Sequence, residues 1–229
     1  MEGRDVNFTT CLFAWFVFLI SEALAALIIH NMVAFGNVIW NAEEISKPLW
    51  SNHALIMVVT MILMNGNGMM MFRLFPKCRT VFIKYLHALI HTMILIGSGY
   101  AYYLIHSFKA DLDRSHFTFQ QLHAYLAVLT AILYICQWAS AVFVYLYMYS
   151  NQRRRKLFAS WHNFLGVCVL QISIITACVQ LQDMNYKNYS RNFEKQHAEH
   201  AMVLMVIYGA LVNCVVLNPY LEWRLVGPL

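Results

Sequence analysis

Ten histidines stand in a chain that carries little other charge, and four of them share a placement. His53, His87, His123 and His162 each lie near the start of a long apolar run, with separations of 34, 36 and 39 residues, close to one helix plus one loop each time. An ionisable side chain within a bilayer is costly and marks a functional position by default. Successive runs that cross a membrane in alternating directions bring the first and third histidines to one face at matching depth, and the second and fourth to the other. Two imidazoles facing each other in a dry apolar slot suit a haem iron. They fill both axial positions, leave no vacancy for O₂ or substrate, and so restrict the metal to carrying electrons. Zinc fits less well: it takes three or four N, S or O ligands, and no Asp, Glu or Cys stands at matching depth. The pattern therefore predicts two haems b, one between His53 and His123 and one between His87 and His162. For hydrocarbon roughly 30 Å thick, with each ligand a turn or two inside, the two levels lie roughly 15–20 Å apart. A C-x-x-C-H motif does not occur, so covalent attachment of the c type is excluded.

The elements that must position these residues follow from composition. The chain has 229 residues, 60% of them hydrophobic and 12% charged, about half the charge of an ordinary soluble domain. Such a composition excludes disorder, nucleic-acid binding and a disulfide-stapled secreted scaffold. Six apolar runs are long enough to span a bilayer: 11–35, 49–72, 81–105, 119–149, 157–181 and 198–220. They are continuous rather than alternating, so they predict helices and not a membrane β-barrel. The expected fold is an all-α membrane protein with six transmembrane helices, in one domain over 1–229. Spans two to five form a four-helix core that holds the haems, over about 49–182. Gly66 and Gly68, late in the second run, allow close approach of a helix or ligand. Thr118-x-x-Gln121 reads as a capping box opening the fourth span. The first run lacks a basic start and a small-residue cleavage site, and is read as a retained helix.

Lysine and arginine set the expected orientation. The loop after span two holds Arg73, Lys77, Arg79 and Lys84, and the loop after span four holds Arg153, Arg154, Arg155 and Lys156. The basic residues of the other loops (Lys47; Lys109 and Arg114; Lys187, Arg191 and Lys195) are diluted by acids. The side reached after even spans is therefore cytosolic, and both termini share it. The sequon Asn188-Tyr189-Ser190 then lies outside, and Asn7-Phe8-Thr9 lies in the cytosol. Five cysteines fall within spans and Cys78 in a cytosolic loop, so no disulfide is expected.

Other residues leave alternatives open. His91 follows His87 by four residues on the same helical face, and either could be the ligand; His87 better matches the depth of His162. His30 reads as an interfacial or inter-helix group, and His197 and His200 as caps on the outer end of span six. Glu22 sits mid-span in the first helix and calls for a polar neighbour. A histidine-lined transporter for metal or protons is the alternative class, and a haem-free scaffold a third. A transporter needs polar residues through the midplane, whereas here the residues between the two levels are apolar.

The chain resembles the cytochrome b561 family of transmembrane ascorbate-dependent reductases over roughly positions 50–182, and weakly over the outer two spans. Four features carry the resemblance: Asn52-His53 with Phe72-Arg73 closing the same span; Lys84-Tyr-Leu-His87-Ala-Leu-Ile-His91; Leu122-His123 with Gln137-Trp138; and His162-x-x-x-Gly166. The short chain and the stretch from His106 to His123 are most similar to the short animal domain-containing members. The resemblance implies that cytosolic ascorbate donates an electron to the haem between His87 and His162. The electron passes to the haem between His53 and His123, and leaves to monodehydroascorbate or a ferric chelate. Arg73, Lys84, Lys77 and Arg79 crowd the mouth nearest His87, and would attract the ascorbate anion. His106 and His116 stand where an outer acceptor would dock or a proton be relayed. The expected setting is the lipid bilayer of an endomembrane (ER or vesicle) or the plasma membrane, and the sequence admits a homodimer.

Overall fold

The structure, a computed structural model, describes residues 8–40, 47–75, 78, 80–111, 122–147, 152–188 and 192–218. Backbone groups in lipid have no water to bond to, so each apolar run satisfies its own N–H and C=O groups by coiling into a helix. The helices are α1 (Phe8–Trp40) and α2, made of Lys47–Met57, a π-helical stretch Val58–Met64 and Asn65–Leu74. Then come α3 (Thr80–Asp111) and α4 (Leu122–Val142, closed by the π-helical Phe143–Tyr147). The last two are α5 (Gln152–Asn188) and α6 (Asn192–Val216). Each contains a segment long and apolar enough to cross a membrane: Leu12–Ala34, Ser51–Leu74, Val81–Ser107, Leu122–Tyr145, Leu157–Asp183 and Gln196–Val216. These agree with the six expected runs. The capping box expected at Thr118 and Gln121 lies outside the described residues. The molecule is an integral membrane protein, and its outward surface is apolar: Phe16, Ile96, Tyr103, Trp161 and Val203 are each more than half exposed.

Side-chain contacts show that the helices alternate in direction. The end of α2 meets the end of α6, where Arg73 Nη2 donates to the Val216 carbonyl at 2.9 Å. The same end meets the start of α1 through Trp15 and Phe75. The start of α6 meets the end of α1 through His197 Nδ1 and Asn31 Oδ1, 3.0 Å apart. The start of α1 and the end of α6 therefore belong to one face, here called the terminal face; the other is the opposite face.

Two apolar clusters fill the interior. The larger joins α1, α2, α5 and α6 through Val17, Ile28, Ile62, Met70, Leu170, Ile174, Met205 and Val212. The smaller sits within the α2–α5 quartet and consists of Met61, Ile94, Tyr134 and Val169. In α2 the backbone widens just before Asn65, whose N–H is shared between the Ile62 and Thr60 carbonyls. A π-helical turn takes in one residue more than an α-turn, and rotates everything beyond it about the axis. It therefore sets which face of α2 the later residues Gly66–Gly68 present, independently of His53.

Candidate functional site

The four histidines form two levels, and neighbouring helices orient three of them by main-chain acceptors. On the terminal-face side, His87 Nδ1 of α3 donates to the Gly68 carbonyl of α2 at 2.9 Å. At the opposite level, His53 Nδ1 of α2 donates to the Ala101 carbonyl of α3 at 2.8 Å. His123 Nδ1 of α4 donates to the Thr176 carbonyl of α5 at 3.0 Å. A carbonyl can only accept, so each of these rings carries its proton on Nδ1 and its lone pair on Nε2. A histidine that ligates a metal is held in this way by its other ring nitrogen. The fourth, His162 of α5, receives the Gln137 Nε2 amide on its backbone carbonyl at 3.0 Å, and its buried Nδ1 has no hydrogen-bond partner among the described residues.

The spacing of the terminal-face pair tests whether a haem iron fits. A metal–imidazole bond of about 2 Å puts each ring centre about 3 Å from the metal, so two trans imidazoles stand about 6 Å apart centre to centre. The His87 and His162 ring centres are 6.2 Å apart, with planes at 70°. Aromatic rings line this level: Phe72 lies 5.2 Å from His87, while Phe158 stacks on His162 at 5.9 Å and Tyr145 lies 6.2 Å away. Such walls suit a flat macrocycle. His91 stands apart from the pairing. Its ring centre is 4.2 Å from that of His87, too close for the two to flank one metal. Its Nδ1 pairs with the Tyr134 hydroxyl at 2.7 Å, and its Nε2 lies over the open side of Gly68. Among the described residues no three His, Cys, Asp or Glu side chains converge as a zinc site requires.

Between the levels the quartet is closed by Met61, Ile94, Tyr134 and Val169. The hydroxyls of Thr60, Ser98 and Thr130 fold back onto carbonyls of their own helices. A continuous polar path, which the transporter alternative needs, has no support here.

The basic residues divide. Lys84, one turn before His87, lies close enough to Arg155 for their charges to repel. Arg155 stands seven residues, two helical turns, before His162, and its backbone carbonyl lies 3.5 Å from the Tyr145 hydroxyl. Arg73 is drawn to the C-terminal carbonyl of α6. Lys77, Arg79 and His116 lie outside the described residues. His106 is exposed near the end of α3, with Tyr102 6.4 Å away. The basic run after span four reads from sequence as an orientation signal or a lipid headgroup contact. Its helical offset from His162 is the signal that picks out Arg155, and Tyr145 carries none. Cys78, Cys136, Cys168, Cys178 and Cys214 are free.

Residues 52–188, more than half of the chain and including all four histidines, match the family model described as eukaryotic cytochrome b561. The chain belongs to that family. Cytochromes carry haem, so the family agrees with paired imidazoles. Its similar relatives include the transmembrane ascorbate ferrireductase 2 of Arabidopsis thaliana, 22% identical over 202 residues (86% of each chain). The transmembrane ascorbate-dependent reductase CYB561 of Homo sapiens is 24% identical over 179 residues, 78% of this chain and 68% of its own. The lysosomal membrane ascorbate-dependent ferrireductase CYB561A3 of Rattus norvegicus is 25% identical over 206 residues, 84% and 77% of the two chains.

Proposed function

We propose that this cytochrome b561 is a transmembrane oxidoreductase that takes single electrons from cytosolic ascorbate and delivers them to an acceptor across the membrane, through two haems b. The observation that carries the reading is the 6.2 Å separation of the His87 and His162 rings, together with Nδ1 atoms of His87, His53 and His123 tied to carbonyls of neighbouring helices. In this reading His87 and His162 would hold a haem at the terminal face, and His53 and His123 one at the opposite face. Haem, when bound, supplies a one-electron carrier at each level. The chain fixes the rings, walls them with Phe72, Phe158 and Tyr145, and keeps water from the midplane with Met61, Ile94 and Val169.

The terminal face is the cytosolic one by its basic loops. There Lys84 and Arg155 hold the ascorbate anion, with Lys77 and Arg79 raising its local concentration and Arg73 nearby at the closing turn of α2. Two like charges within electrostatic reach of each other gain when an anion binds beside them, which supports a binding role over a purely topological one. On the far side His106 and His116 receive monodehydroascorbate or a ferric chelate. The names of the relatives support the donor and the ferric acceptor, and one of them places its protein in the lysosomal membrane. For this chain an endomembrane or the plasma membrane is proposed.

The test is a reduced-minus-oxidised spectrum of the purified protein. A b-type α-band that appears on ascorbate addition is the expected result. His53→Ala or His123→Ala loses one haem and blocks delivery across the membrane, while ascorbate still reduces the other. A colourless protein, or variants that keep both haems, refutes the reading.

A further inference from the structure

The helices outside the quartet, α1 and α6, carry no histidine of either level, yet a polar tie runs from both of them to the segment of α2 that orients His87. Asn67 Nδ2 donates to Glu22 Oε1 of α1 at 2.6 Å, a short bond. The Tyr208 hydroxyl of α6 reaches Asn67 Oδ1 at 3.0 Å and the Leu63 carbonyl at 2.8 Å. Tyr208 is fully buried, and its ring occupies the space that a side chain at Gly66 would take, since a Cβ there would come within 2.5 Å of the hydroxyl. The Leu63 carbonyl belongs to the π-helical stretch, where the widened turn leaves main-chain acceptors for side chains of other helices. The residue after Asn67 is Gly68, whose carbonyl accepts the His87 Nδ1 proton.

We infer that Glu22, Asn67 and Tyr208 are positioning residues for the terminal-face centre. They hold α2 at Leu63, Gly66 and Asn67, directly before Gly68, and so fix the direction and distance of the carbonyl that orients His87. The hydrogen bond on the far nitrogen of a ligating imidazole sets the ring's angle and basicity, and with them the properties of the metal. A mid-span carboxyl that would otherwise be a liability in lipid thereby acts at the centre through two bonds and one carbonyl. The inference rests on the reading of His87 as a haem ligand.

The test measures the midpoint potential and the low-spin ferric EPR signal of each haem in the holoprotein. Asn67→Ala and Tyr208→Phe shift the potential and signal of one haem, the same one that His87→Ala abolishes, and leave the other in place. Glu22→Ala behaves as Asn67→Ala does, whereas Glu22→Gln, which keeps an acceptor oxygen for the Asn67 amide, stays close to native. Asn31→Ala is the control: it breaks a second α1–α6 contact at the far end of the same helices, and moves neither centre. Tyr208→Phe, which deletes a single oxygen, decides the matter if Asn67→Ala gives no protein. Unchanged signals in Tyr208→Phe, equal shifts at both haems, or the same shift in Asn31→Ala overturn the inference. Retention of both haems in His87→Ala refutes the ligand reading, and the inference falls with it.

Discussion

Gly68 is the position where the smallest change should matter most. A Cβ added there comes within 2.8 Å of His91 Nε2, whereas ordinary contact begins at 3.4 Å, so the imidazole must give way by about 0.6 Å. His91 has little room to do so: its Nδ1 is held by Tyr134, and its ring lies 4.2 Å from that of His87. The alternative is for α2 to back away from α3, which lengthens the 2.9 Å bond from His87 to the Gly68 carbonyl. Overpacking of this kind costs about 1–3 kcal/mol, and for a chain of this size each kcal/mol lowers the melting temperature by about 2–4 °C. Gly99 supplies the contrast, since none of the described residues comes within 4 Å of a Cβ there. Gly99→Ala should be neutral or slightly stabilising, by at most about 1 kcal/mol from helix propensity. The assay is thermal unfolding in detergent followed by haem absorbance, with a reductive titration of each variant. Gly68→Ala is expected to melt several degrees early and to alter the spectrum of only the haem that His87→Ala removes. If Gly68→Ala melts and titrates like Gly99→Ala, the close approach of α2 and α3 at His91 is wrong.

Three further outcomes follow from the cationic residues and the topology. Lys84→Ala or Arg155→Ala should each raise the KM for ascorbate about tenfold, or about 1.4 kcal/mol, with kcat and spectrum unchanged and with the effect fading at high salt; an unchanged KM removes the pair from the donor site. Arg73→Ala should act mainly on stability, because its guanidinium bonds the Val216 carbonyl at the end of α6, a contact to a charged group that contributes about 1.5–3 kcal/mol; a normal melting curve with a raised KM would assign it to ascorbate instead. Asn188→Gln should abolish a glycosidase-sensitive mass shift on expression in a secretory system, and absence of that shift in the native chain would argue against the assigned orientation.

The six helices were legible because apolar runs of this length have no other stable form in lipid, and the structure places helices over all six. The two levels of histidine were legible for a related reason: a side chain near the start of each span inherits its depth from the topology alone. Choosing His87 over His91 took more, and rested on depth. The structure adds the distances, with His91 too near His87 to share a metal with it. The π-helical stretch of α2 left no mark in the sequence, since Val58–Met64 is as apolar as its surroundings. Glu22 announced that it needed a partner but not which one, because mid-span pairing depends on helix rotation, and Asn67 and Tyr208 come from two different helices. Arg155 was hidden for the opposite reason. A run of four basic residues is what a cytosolic loop requires anyway, so only its two-turn offset from His162 set Arg155 apart from its neighbours.

Three of the four imidazoles are oriented by peptide oxygens, at Gly68, Ala101 and Thr176. Any amino acid brings such an oxygen with it. The scaffold around the rings therefore makes few demands on side-chain chemistry and mostly limits bulk, as at Gly68, where a methyl group already collides, and Ala101, which has no exposed surface. Replacement of most side chains leaves these supports standing. A chain can drift far in sequence, as this one has to 22–25% identity with its relatives, without losing these supports.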